Sequence, residues 1–381
     1  MNQVIGFRKF AYTDPVLLMA VIGLLALGTV MVYSASSLTA AETYGEGTYF
    51  LRRQFFWILV GALFMVSLFA MNVRVIKAMA LPSLVVMGCL LLLTEVASIG
   101  VEAKNVTRWI RFYGLTFQPS EFAKPALLLY VASYLAKRGD HIKDFLRGLF
   151  PLLLTVAVFL LMILRQPDFG TAVVLGVTIA IMLFVAGARL YHLTGLSLLS
   201  IVTAYFLVHS VGYRQRRLLA FLNPWQDPTG SGFQIIQSFI AFQSGGFKGQ
   251  GLGDGTQKLL YLPEAHTDFI FSVIAEELGI LGTMAVIVLF TCIVVQGFRL
   301  SLRIRDTFAS QFTLGITALL GLQSLLNMAV AMALVPTKGL TLPLVSYGGS
   351  SMISTLGCIG VLLSFSSSVT ASRKMAMRKM V

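Results

Sequence analysis

Residues 15–36, PVLLMAVIGLLALGTVMVYSAS, form an apolar run that contains no charged residue. The run is long enough to cross a bilayer, which takes about 20 mostly apolar residues. It follows Arg8 and Lys9, as the apolar core of a signal peptide would. That core is only about 7–15 residues long, however. We therefore predict that residues 15–36 are retained as a first transmembrane helix.

Runs of the same kind recur along the 381 residues, of which 57% are hydrophobic and 12% charged. An ordinary soluble domain has about 25% charged residues. The composition thus excludes soluble, disordered, collagen-like and disulfide-scaffold proteins. We predict an all-α polytopic integral membrane protein, a single membrane domain over residues 1–381 with ten transmembrane helices. The predicted spans are residues 15–36, 54–71, 77–94, 119–136, 149–165, 171–188, 190–211, 269–298, 309–335 and 343–368.

The placement of charge supports an even number of spans. The two termini and every second loop together carry 16 basic and four acidic residues, whereas the other loops carry 12 basic and nine acidic residues. Basic residues concentrate in short cytoplasmic loops because they resist translocation. Both termini are therefore predicted to be cytoplasmic, and the net charge of +13 is a signal of topology. The one long connection, residues 212–268, becomes a large external loop between helices 7 and 8.

Ionisable side chains within the predicted spans are candidates for function, because they are costly in a bilayer. Glu121 and Lys124 lie three residues apart in the fourth span, so they share a helix face and can pair. Two interpretations stay open: a structural ion pair that joins two helices, or a polar cavity on a substrate path. Glu276 and Glu277 are predicted to open the eighth span, since negative charge is favourable in the first turn of a helix.

The densest polar cluster of the external loop is Glu264, His266 and Asp268, directly before the eighth span. Asp268 is placed to cap that helix. It is also a candidate general base at the membrane surface. Carboxylate and imidazole groups can bind metals, but the cluster lacks a fourth ligand.

Cations for a phosphate group are available near this cluster. The ninth loop contains Lys338 between two prolines, and its glycines and prolines predict a broken start to the tenth span. By loop parity Lys338 lies on the same side as Asp268, and a base and a cation on one face suit a reaction with a phosphate leaving group. The large external loop adds further cations: Arg214, Arg216, Arg217, Lys248 and Lys258.

Several motifs, in this order along the chain, resemble the SEDS family (shape, elongation, division and sporulation) of membrane proteins. They are Trp109-Ile110, Phe117–Lys124, Gln166–Ala172, Pro263–Phe269, Glu276–Gly279 and Ser346–Ser351. Two further stretches, Asn223–Phe233 and Pro336–Pro343, resemble the cell-division members more than the cell-elongation members.

The resemblance implies a peptidoglycan glycosyltransferase that polymerises lipid II on the outer face of the bacterial cytoplasmic membrane during septal cell-wall synthesis. It also implies ten spans with cytoplasmic termini. The implied partners are a class B penicillin-binding protein (a transpeptidase), other divisome membrane proteins and membrane lipids, and no nucleic acid is expected. A lipid II flippase and a non-catalytic divisome scaffold are the alternative functions.

The resemblance also assigns residues. The essential aspartate of the family matches Asp268, its membrane-embedded glutamate and lysine match Glu121 and Lys124, and its tryptophan matches Trp109. We expect Asp268 to be the general base and cations to stabilise the leaving pyrophosphate, with a divalent cation (Mg²⁺ or Mn²⁺) as the alternative. No metal ligands are assigned. The expected substrate-binding residues are Lys338, Glu121, Lys124, Trp109, Glu264, His266, Arg214, Arg217 and Ser350.

Overall fold

The computed structural model describes residues 12–94, 100–103, 106–112, 115–209, 212–230, 232–257, 265–337 and 339–378. These residues contain thirteen α-helices and three short β-strands. The elements are α1 (Pro15–Tyr44), α2 (Tyr49–Ala70), α3 (Val73–Ala78), α4 (Ala80–Leu93), β1 (Gly100–Ala103), β2 (Val106–Phe112), β3 (Leu115–Phe117), α5 (Pro119–Arg138), α6 (Phe150–Arg165), α7 (Phe169–Val185), α8 (Leu190–His209), α9 (Gly212–Leu222), α10 (Phe233–Gly245), α11 (Ile270–Arg303), α12 (Thr307–Ala331) and α13 (Gly349–Arg378).

Each of the ten predicted spans overlaps one or two of these helices. In the described part of the chain, six helical segments are long and apolar enough to cross a bilayer: α1, α2, Phe145–Arg165 (which includes α6), α11, α12 and α13. Helices α4, α7 and the first part of α8 are apolar but shorter. A multi-pass helical membrane protein is thereby confirmed. The count of ten spans stays a prediction, because length and composition alone assign six.

Aspartate side chains determine where several helices begin. The Asp14 carboxylate accepts hydrogen bonds from the backbone N–H groups of Val16 at 2.9 Å and Leu17 at 3.2 Å. The Asp306 carboxylate accepts one from Ala309 N at 2.8 Å at the start of α12. Such caps satisfy N–H groups that have no partner within the helix.

Helices α12 and α13 form the centre of the bundle. Helix α12 packs against α5, α7, α11 and α13, and α13 packs along α2. Small residues allow this close approach, since a methyl group at Gly315 would meet Met182 of α7, and one at Gly357 would meet Phe64 of α2. Most polar side chains of α12 are buried within the bundle: Gln311, Thr313, Thr317, Gln323, Ser324 and Asn327.

The structure differs from the predicted loops in two places. Strands β1, β2 and β3 form a three-stranded antiparallel sheet, with Trp109 opposite Val101 and Ile110 opposite Phe117. We did not predict this sheet, because strands this short show too little alternation to be told from a loop. Segment 212–268, which we predicted as one external loop, also contains two helices among its described residues, α9 and α10.

Helix α11 is broken at Gly279, whose backbone has φ 63° and ψ −159°. The glycine-rich segment after α10, residues 246–257, lies against this break. Gln250 N donates to Glu276 O at 2.9 Å, Gly251 N to Glu277 O at 3.1 Å, and Ile280 N to Gly246 O at 3.0 Å. The segment thus provides hydrogen-bond partners for backbone N–H and C=O groups on both sides of the break in α11.

Glu276 and Glu277 do not open a helix, so that prediction was wrong: α11 begins at Ile270, and both lie inside it just before the break. Their carboxylates are buried and bind the glycine-rich segment. Glu276 accepts hydrogen bonds from Thr256 N at 2.8 Å and Thr256 Oγ1 at 3.0 Å. Glu277 accepts from Gly253 N at 3.1 Å and from Ser34 Oγ of α1 at 2.7 Å.

We expect Gly249→Ala to destabilise the protein by more than about 1–2 kcal/mol, the cost of a left-handed backbone for a residue with a Cβ. Gly249 has φ +80°, and its added methyl group would also collide with the backbone of Glu277 and Leu278. Gly253→Ala is the matched control, because Gly253 has φ +90° with open space around a Cβ. Thermal unfolding in detergent measures both. Equal loss in the two variants would show that the segment does not pack tightly on α11.

Candidate functional site

Asp268 lies half-buried in the turn of residues 265–269, immediately before α11 begins. The prediction that it caps α11 was wrong, because Phe269 occupies the cap position and the structure shows no side-chain cap bond there. The helix begins one residue later than a cap at Asp268 requires. Asp268 therefore lies one residue before the cap position of α11.

The Asp268 carboxylate lies against the loop of residues 336–343. A methyl group placed on Gly339 would come within 3.1 Å of Asp268 Oδ2. Two residues earlier in this loop, the carbonyl oxygen of Thr337 accepts a hydrogen bond from Arg217 Nη1 of α9 at 3.3 Å. The fold thus brings Asp268, Arg217 and the loop that carries Lys338 together, although they are distant in sequence.

Residues 344–348, which connect this loop to α13, are hydrogen-bonded to the turn that contains Asp268. Ser346 Oγ donates to Thr267 O at 2.5 Å, and Tyr347 N donates to His266 O at 2.9 Å. Helix α13 begins only at Gly349, six residues after the predicted start of the tenth span at Pro343. The non-helical start predicted from the prolines and glycines is confirmed.

His266 packs among aromatic rings of two other segments. Its ring centroid lies 4.6 Å from that of Phe50 in α2 and 5.8 Å from that of Tyr347. This contact joins the Asp268 turn to the start of α2. A substrate-binding role for His266 stays a prediction.

Glu121 and Lys124 form an ion pair in α5, with 2.8 Å between Lys124 Nζ and Glu121 Oε1. Their side chains are 10% and 4% exposed, respectively. Lys124 Nζ also donates to Gln323 Oε1 of α12 at 2.9 Å. This burial favours the first of the two interpretations, an ion pair that joins two helices.

Trp109 lies in the three-stranded sheet, and Ser350 lies in the first turn of α13. Trp109 lies half-buried in β2, and the preceding Arg108 donates from Nε to Gln166 O at 2.6 Å and from Nη2 to Pro167 O at 2.7 Å. Arg108 thereby fastens the sheet to the turn between α6 and α7, a role that we did not predict. Ser350 is 5% exposed, and its Oγ accepts a hydrogen bond from Gln118 N at 2.9 Å.

The structure does not describe the side chains of three predicted site residues. Glu264 and Lys338 lie outside the described residues, and so does the side chain of Arg214. Among the His, Cys, Asp and Glu residues that the structure does describe, no group of three or more is arranged to hold a metal ion.

Asn327 of α12 is a residue near the site that sequence reasoning missed. Its side chain is buried, and Nδ2 donates to Asp268 O at 2.9 Å. The available signal was an amide inside an apolar span, where an unpartnered polar group is costly.

Comparison with known proteins identifies the family. The family model described as "Cell cycle protein", which covers FtsW, RodA and SpoVE, matches residues 15–371. The chain is 45% identical over 368 residues to the "Probable peptidoglycan glycosyltransferase FtsW" of Geobacter metallireducens, covering 96% of this chain and 98% of that protein. It is 40% identical to the "Stage V sporulation protein E" of Bacillus subtilis, covering 93% and 97%.

Solved structures agree. A chain from a structure described as "Structural coordination of polymerization and crosslinking by a peptidoglycan synthase complex" superposes with a TM-score of 0.77 at 31% identity, covering 94% of this chain and 98% of that one. The crystal structure of rod shape determining protein RodA from Thermus thermophilus gives a TM-score of 0.69 at 28% identity, covering 93% and 96%. The resemblance inferred from the motifs is confirmed, and the chain belongs to the FtsW, RodA and SpoVE family of cell cycle proteins.

Proposed function

We propose that this chain is a peptidoglycan glycosyltransferase that polymerises lipid II during septal cell-wall synthesis. The names of its relatives support this activity. The observation that carries the proposal is the position of the Asp268 carboxylate against Gly339, in the loop that also contains Lys338. A base beside a loop with a cation suits the displacement of a pyrophosphate leaving group.

In the proposed reaction, Asp268 removes the proton from a sugar hydroxyl of the acceptor. The hydroxyl oxygen forms a bond to the anomeric carbon of the donor while the bond from that carbon to the pyrophosphate oxygen breaks. The electron pair of the broken bond leaves with the lipid pyrophosphate, and the configuration at carbon inverts. Arg217 and Lys338 stabilise the negative charge that develops on the leaving group, which is worth most in a partly dry site.

The site is proposed to face the outside of the cytoplasmic membrane, with both termini in the cytoplasm. The excess of basic residues at the termini and in alternate loops supports this orientation. A class B penicillin-binding protein is the proposed partner, because one structural neighbour belongs to a peptidoglycan synthase complex that coordinates polymerization and crosslinking. Other divisome membrane proteins and the septum as the site of action are proposed from the family's cell-cycle role.

Labelled lipid II tests the proposal. The purified protein is incubated with it in detergent, with and without a class B penicillin-binding protein, and glycan strands are separated by size. We expect polymer, with more in the presence of the partner. Neither alternative makes polymer in detergent, because a flippase has no membrane across which to move lipid II and a scaffold catalyses no reaction. Absence of polymer both with and without the penicillin-binding protein would overturn the proposal.

Arg217→Gln is expected to lower kcat by about 10²–10³-fold, as removal of one group that stabilises developing negative charge does. Arg217→Lys keeps the charge but loses the planar fork of donors, so its loss is expected to be smaller. Arg52→Gln is the control, because Arg52 forms an exposed ion pair with Glu46, and such pairs contribute little. Wild-type kcat in Arg217→Gln would remove Arg217 from the mechanism.

A further inference from the structure

Helix α12 presents two amide side chains one turn apart, on the face toward the candidate site. Gln323 and Asn327 are four residues apart, so they lie on the same side of the helix. They are 4% and 1% exposed, respectively. An amide buried this deeply must act through protein groups, because substrate cannot reach it.

Asn327 joins the two loops of the site. Its Nδ2 donates to Asp268 O at 2.9 Å and to Leu340 O at 2.5 Å. Both partners are carbonyl oxygens, which only accept hydrogen bonds, so Nδ2 and not Oδ1 must face them. Asp268 carries the proposed base, and Leu340 follows Gly339, against which the Asp268 carboxylate lies.

Gln323 holds the next carbonyl of the same loop. Its Nε2 donates to Thr341 O at 3.1 Å, and its Oε1 accepts from Lys124 Nζ at 2.9 Å. Lys124 is in turn paired with Glu121. Two neighbouring carbonyl groups of the loop are therefore bound by two amide side chains that lie one turn apart on α12. The amide of Gln323 is itself oriented by Lys124 of the buried ion pair.

We propose that Asn327 is a positioning residue for glycosyl transfer: a single amide sets the Asp268 turn and the Leu340 loop at a defined distance. This inference rests on the proposed function, because it presumes that Asp268 is the base. Catalytic groups must be held within about 0.5 Å of productive geometry. A displacement of about 1 Å costs on the order of 10²-fold in rate.

Asn327→Asp tests this role. Aspartate has nearly the shape of asparagine, but its carboxyl group offers one donor when protonated and none when ionised, so it cannot donate to both carbonyl oxygens as Nδ2 does. We expect kcat for lipid II polymerisation to fall about 100-fold while KM stays within about threefold. Such a split between kcat and KM marks a loss confined to the transition state. Asn327→Ala removes the donor without adding charge and is expected to show the same split.

Ser324→Ala is the matched control. Ser324 is also buried in α12, and its Oγ donates to Gly321 O within the same helix at 3.0 Å, so we expect wild-type kcat and KM. Thermal unfolding in detergent accompanies every variant. Both Asn327 variants are expected to unfold at a lower temperature than Ser324→Ala, because they leave buried carbonyl oxygens unpaired, and Asn327→Asp at the lowest, because it also buries a carboxyl group without a partner. The rates are therefore compared at a temperature at which every variant is folded.

Each outcome bears on the inference. Wild-type kcat in both Asn327 variants overturns it, and so does failure of both variants to accumulate as folded protein, because Asn327 would then be a folding determinant. Failure of the proposed function itself is distinguishable, since the wild-type protein would then make no polymer.

Discussion

Asp268→Asn is expected to lower the rate of lipid II polymerisation by about 10²–10⁴-fold, the usual contribution of a positioned general base. The asparagine side chain has the same size but cannot take the hydroxyl proton. The substitution removes no residue from the cap position of α11, which Phe269 occupies. Its backbone oxygen keeps the hydrogen bond from Asn327. Thermal stability is therefore expected to change little.

The measurement is the initial rate of glycan formation from labelled lipid II, with a class B penicillin-binding protein present, beside an unfolding curve in detergent. Asp254→Asn is the matched control, since Asp254 is an exposed carboxylate in the same segment, residues 212–268. A wild-type rate in Asp268→Asn would exclude Asp268 as the base. If the rate is lost and the unfolding midpoint of Asp268→Asn also falls well below that of Asp254→Asn, Asp268 has a structural role instead.

Lys124→Met is expected to destabilise the protein by about 3–5 kcal/mol, because removal of one partner leaves a buried, uncompensated charge. Here that charge is the carboxylate of Glu121, in a side chain that is 10% exposed. The substitution also removes the donor that orients Gln323. Thermal unfolding in detergent and the yield of folded protein measure the effect.

The double variant Glu121→Gln/Lys124→Met distinguishes the two interpretations of this pair. Replacing a whole buried ion pair is often neutral in stability. If the pair only joins α5 to α12, the double variant is expected to regain most of the stability and the polymerisation rate. A stable but inactive double variant would show that the pair also serves catalysis, by contact with substrate, as the family resemblance implies, or by orienting Gln323. Lys143→Met, which breaks an exposed pair with Asp140, is the control.

The sequence-based expectations succeeded where the signal is local. The apolar run of residues 15–36 lies within α1, and the prolines and glycines after residue 335 predicted the non-helical start of α13. The expectations for Asp268, Glu276 and Glu277 at the start of α11 were wrong by a few residues. The predicted start of the eighth span at residue 269 is one residue from the observed start, but Phe269 and not Asp268 occupies the cap position, and the two glutamates lie six and seven residues after the first residue of the helix. Here α11 starts at Ile270, continues through both glutamates and is broken at Gly279, where the segment of residues 246–257 binds it.

Residue order alone therefore establishes a multi-pass membrane protein and its family, because about 20 apolar residues suffice to predict a span and motifs are read along the chain. Residue order alone does not determine which residues meet at the site. Asn327 reaches Asp268 across 59 residues, and Arg217 reaches Thr337 across 120. Hydrogen bonds form only within about 3.5 Å, so such pairs depend on how the helices pack. Only the packing of α12 against its neighbours places an amide between the turn of the proposed base and the loop that carries Lys338.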